Sequence, residues 1–69
     1  MTQKELLYVE DAICHENEVM MVLQETMNML DDEQLVDYLD NQIEIHEGIY
    51  NSFISLLKEN ANEWSSFNG

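Results

Sequence analysis

The sequence predicts an all-α protein, an antiparallel helical hairpin that pairs with a second copy to complete a four-helix bundle. Three observations predict it. Apolar residues recur at alternating spacings of three and four through two long runs, the pattern of a helix with one buried face. Between the runs lies a short acidic break, Asp31-Asp32-Glu33-Gln34, across which the two patterns mirror each other. Proline is absent and glycine occurs only at positions 48 and 69, so few residues oppose helix formation.

The first helix is expected over about residues 3–30. Thr2 with Glu5 three positions on has capping-box spacing and would start it near Gln3. Its inward stripe is Leu6, Val9, Ile13, Glu16, Met20, Leu23, Met27 and Leu30, and Glu16 alone is polar. Lys4, Asp11, Glu18 and Glu25 form a solvated back.

Asp31 and Asp32 can each cap the second helix, expected over about residues 33–60, and Asp31 with Gln34 repeats the capping-box spacing. Its stripe is Val36, Leu39, Ile43, His46, Tyr50, Phe53 and Leu57, interrupted only by His46. Gly48 lies off this stripe and costs about 1 kcal/mol relative to alanine. Residues 61–69 are read as a tail in which Trp64 and Phe67 either fold back or meet a partner.

Folding at the acidic break pairs residues whose numbers sum to 62 or 63. Leu6 then meets Leu57, Val9 meets Phe53, Ile13 meets Tyr50, Met20 meets Ile43, Leu23 meets Leu39 and Met27 meets Val36. Glu16 meets His46 in the one polar layer. Leu7, Cys14 and Met21 extend the first helix's apolar surface, and Leu35, Ile49 and Leu56 extend the second's, so these six are the expected dimer interface. Cys14 is expected there as a buried thiol, and a single cysteine excludes an intramolecular disulfide.

Fifteen acids against Lys4 and Lys58 give a formal charge of −13, which argues against nucleic acid and anionic membranes as partners. Asp37, Asp40, Glu44 and Glu47 make an acidic stripe that could hold a basic protein. No signal peptide is visible and no apolar run approaches the roughly 20 residues of a membrane span, so a cytoplasmic location, without secretion by a signal peptide, is expected. Neither a phosphate-cradling loop nor a nucleophile–base set is present, and no enzymatic activity is expected. Two readings of the Glu16–His46 layer remain open. It is a hydrogen-bonded pair that fixes register, with no cofactor, or it is half of a divalent-metal site completed in a dimer, with His15, Glu10 or Glu44 as outer contacts.

The opening Lys4-Glu5-Leu6-Leu7-Tyr8-Val9-Glu10-Asp11-Ala12-Ile13, followed by His15-Glu16, resembles the start of the coat-F-like spore coat proteins, a ferritin-like helical family of endospore-forming bacteria. The acidic Asp31-Asp32-Glu33-Gln34-Leu35 turn, His46 and Tyr50-Asn51-Ser52-Phe53-Ile54-Ser55-Leu56-Leu57 are similar as well. The resemblance implies a ferritin-like bundle, a structural role among coat components, and Glu16 and His46 at the positions of a ferritin-like carboxylate and imidazole. Ile43, three residues before His46, departs from the metal-binding pattern, and the resemblance implies that metal chemistry is commonly lost.

Overall fold

A computed structural model describes residues 1–60, in which helix α1 spans Gln3–Asn28 and helix α2 spans Glu33–Glu59. The two pack against each other as a hairpin, and no strand occurs among the described residues. Trp64 and Phe67 lie outside the described residues.

Both helix starts are set by side chains that satisfy amide donors left over at a helix N-terminus. At α1 the Thr2 hydroxyl accepts from the Glu5 amide at 3.0 Å, while the Glu5 carboxylate accepts from the Thr2 amide at 2.8 Å. This is the capping box read from the sequence. At α2 the cap is Asp32, in extended conformation, whose Oδ1 accepts from the amides of Gln34 at 2.9 Å and Leu35 at 3.1 Å. The Asp31–Gln34 alternative is thus not used, because one carboxylate at position 32 reaches two amides at once.

Helix α1 ends at Asn28, two residues short of the expected 30. Its last turn tightens, with the Met29 amide donating to Thr26 O at 3.0 Å and the Leu30 amide to Met27 O at 3.3 Å. The chain must leave helical geometry before Asp32 to supply that cap, and it does so with no residue at positive φ among those described. Helix α2 closes on Asn60, whose amide and side-chain Nδ2 both donate to Leu56 O, with Lys58 in the last turn favourably placed toward the helix dipole.

Every residue of the two inward stripes is buried or half-buried. Yet among the described residues only Leu6 is buried, at 5% exposure. Two helices can cover just one strip of each other, so a lone hairpin leaves its remaining apolar surface in water. Cys14, expected to be buried, is exposed in the hairpin.

Candidate functional site

The polar layer forms as the pairing arithmetic predicts. His46 Nδ1 lies 2.5 Å from Glu16 Oε2, linking helices across thirty residues of chain. The side chains keep 26% and 14% exposure, so water reaches the rim of the pair but not its centre. Both residues fall near the middle of their helices, with apolar layers on either side. The contact therefore marks register: sliding one helix by a turn would leave a carboxylate and an imidazole facing apolar residues, each without a partner.

A single hairpin does not fit a metal ion. Among the described residues no three His, Cys, Asp or Glu side chains gather as ligands, and the two that do meet here are hydrogen-bonded to each other. His15 is exposed on α1, and Glu44 is exposed while Glu10 is half-buried.

The hairpin's two flanks differ in chemistry, a feature that follows from helix geometry. Successive residues turn by about 100° around a helix. A residue one position before the inward stripe projects to one flank and a residue one position after it to the other. Because α2 runs antiparallel, the positions before the stripe share a flank on both helices. On α1 these are Tyr8, Ala12, His15, Val19, Val22, Thr26 and Met29; on α2 they are Leu35, Tyr38, Gln42, Ile45, Ile49, Ser52 and Leu56. From Tyr8 to Met29 and from Leu35 to Leu56 none is Asp, Glu, Lys or Arg; Glu5, one position before Leu6, is an acid at the N-terminal end of the same flank.

The opposite flank carries Glu10 and all four stripe acids, Asp37, Asp40, Glu44 and Glu47, each of the four exposed, together with Leu7, Cys14 and Met21. Leu7, Cys14 and Met21 therefore do not share a flank with Leu35, Ile49 and Leu56, although all six are exposed. Sequence reasoning joined the two triplets because it counted apolar residues beside each stripe without following the sense in which each helix turns. For the same reason it missed Tyr8, Val22, Met29, Tyr38 and Ile45, whose exposures run from 48% to 81%. The signal was available, since each of the five precedes a stripe residue by one.

An open groove of about 280 Å³ lies along α1, lined by His15, Val19 and Val22 of the uncharged flank, by Leu23 of the stripe and, at its outer rim, by Glu18 from the helix's solvated back. Near the N-terminus Lys4 Nζ sits 5.9 Å from the Tyr8 ring centroid and shields part of that ring. No helix among the described residues is long and apolar enough to cross a membrane.

Fold and site together define an all-helical hairpin with one polar layer and two unlike flanks. The chain matches no known protein family, no curated protein and no solved structure.

Proposed function

We propose that this chain is a structural and interaction protein that works by self-assembly rather than catalysis, as a homodimeric, ferritin-like four-helix bundle. The observation that carries the reading is the mismatch between core and surface: among the described residues Leu6 alone is buried, while ten large apolar side chains stand at 37% exposure or more. A long apolar surface of this kind marks an interface. A second hairpin would cover it with a surface of matching length and chemistry. The likeness of both helices to coat-F-like proteins supplies the setting, a building element of the spore coat among other coat proteins.

Light scattering coupled to size-exclusion chromatography tests the reading. The expected mass is twice 8.1 kDa, with a melting temperature that rises with protein concentration. A monomer whose melting temperature ignores concentration would refute it.

The Glu16–His46 contact also favours a second reading, in which two copies bring two carboxylates and two imidazoles together around a divalent metal. That reading expects Zn(II) or Mn(II) to raise the melting temperature of the dimer and Glu16→Gln to abolish the rise. The exposed acids Asp37, Asp40, Glu44 and Glu47 would instead serve an adaptor that captures a basic protein, a mode that salt weakens.

A further inference from the structure

We infer that the chain dimerises through its uncharged flank alone, copy against copy, with the acidic flank facing outward. The inference rests on the homodimer reading and assigns the surface that reading leaves open.

Charge selects the occupant. Each copy carries −13, so two copies approach against their own repulsion unless the surfaces that meet are free of acids. The flank bearing Val22, Met29, Tyr38 and Ile45 has no formal charge from Tyr8 to Met29 on α1 or from Leu35 to Leu56 on α2. The other flank would set five acids of one copy, with Lys58 as the one cation among them, against the same set on the next. A cationic partner, the alternative occupant, would find only Glu5 at the end of this flank and Glu18 at the rim of its groove, against five acids on the other flank.

Area agrees with charge. Helix α1 has 26 residues, so the flank is about 39 Å long. The hairpin is 15 Å across, which gives on the order of 600 Å² per copy, approaching the roughly 800 Å² that each side of a stable interface buries. The groove beside Val19 and Val22 is an indentation into which an apolar side chain of the second copy can seat. Glu16 and His46 belong to the part of each stripe that leans toward this same flank, so the dimer encloses the open rim of their pair.

The test compares single substitutions on the two flanks, all at positions already exposed in the hairpin, so the hairpin itself is not disturbed. Val22→Glu and Ile45→Glu are expected to weaken dimerisation by at least about 100-fold, since each buries a carboxylate without a partner. Met21→Glu is expected to change it by less than about threefold. Helicity by circular dichroism confirms that each variant still folds.

Alkylation of Cys14 by a charged maleimide gives an independent reading. Its rate stays the same above and below the dimer dissociation concentration, whereas in a Cys14→Ser background Val22→Cys becomes protected on dimerisation. If Met21→Glu breaks the dimer while Val22→Glu does not, or if Cys14 is the residue protected, the flank assignment is overturned and the homodimer survives. A wild-type monomer overturns both.

Discussion

Replacing the one polar layer by leucines measures what the Glu16–His46 contact contributes. In Glu16→Leu the imidazole loses a partner 2.5 Å away at a site that keeps 26% exposure. A hydrogen bond to a charged group contributes about 1.5–3 kcal/mol when sheltered, and solvent at the rim moves the expected loss to about 1–2 kcal/mol. His46→Leu strands a carboxylate with only 14% exposure and should cost somewhat more, about 2 kcal/mol. The double substitution makes the layer like its neighbours, Ile13 with Tyr50 and Met20 with Ile43. Its stability should return to within about 1 kcal/mol of the parent, giving a coupling energy of roughly 2–4 kcal/mol. Thermal and guanidinium unfolding at one fixed concentration would read this out, at roughly 4–8 °C per kcal/mol for a domain of this size. Losses that add, with coupling below about 0.3 kcal/mol, would mean the two side chains do not act as a pair.

Gly48 is exposed within α2, and a Cβ built there meets nothing within 4 Å, so Gly48→Ala should stabilise by about 1 kcal/mol and raise the melting temperature. Asp32→Ala removes the acceptor of two amides and should cost about 1 kcal/mol, with faster exchange at Gln34 and Leu35 seen by hydrogen–deuterium exchange. The Glu5 carboxyl is held below its ordinary value of 4.5, chiefly by the Thr2 amide and then by the Thr2 hydroxyl. A depressed carboxyl stabilises above its unfolded value and loses that contribution as pH falls through the folded one. The first turn of α1 should therefore fray on acidification below about pH 4.5, as a rise in amide exchange at Glu5 and Leu6, and Glu5→Gln should remove that pH step.

The parts of the structure written in local periodicity were legible. The 3-4 spacing specified both helices, and Thr2 with Glu5 fixed the first start to the residue. Simple mirror arithmetic then brought Glu16 to His46. The turn was less legible because Asp31 and Asp32 are chemically equal in sequence; only the reach of one carboxylate to two amides distinguishes them. The flanks were misread for a different reason. Which surface an off-stripe residue joins depends on the direction of the neighbouring helix, so Leu7 and Leu35 look alike in a list of apolar residues yet project to opposite sides. Cys14 was expected to be covered at a dimer interface, and in the single hairpin it is exposed.

The connection between α1 and α2 runs through Met29, Leu30 and Asp31 with ordinary negative φ angles, and Met29 is 81% exposed. No residue there is required for a special backbone shape, and the second helix restarts from Asp32 whatever precedes it. Peptide tags or reporter segments placed between Met29 and Asp31 should accordingly be accommodated at small entropic cost, while Thr2 and Asn60, the caps that open α1 and close α2, lie at the far end of the rod. The protein thus offers two addressable poles, one for display and one for tethering.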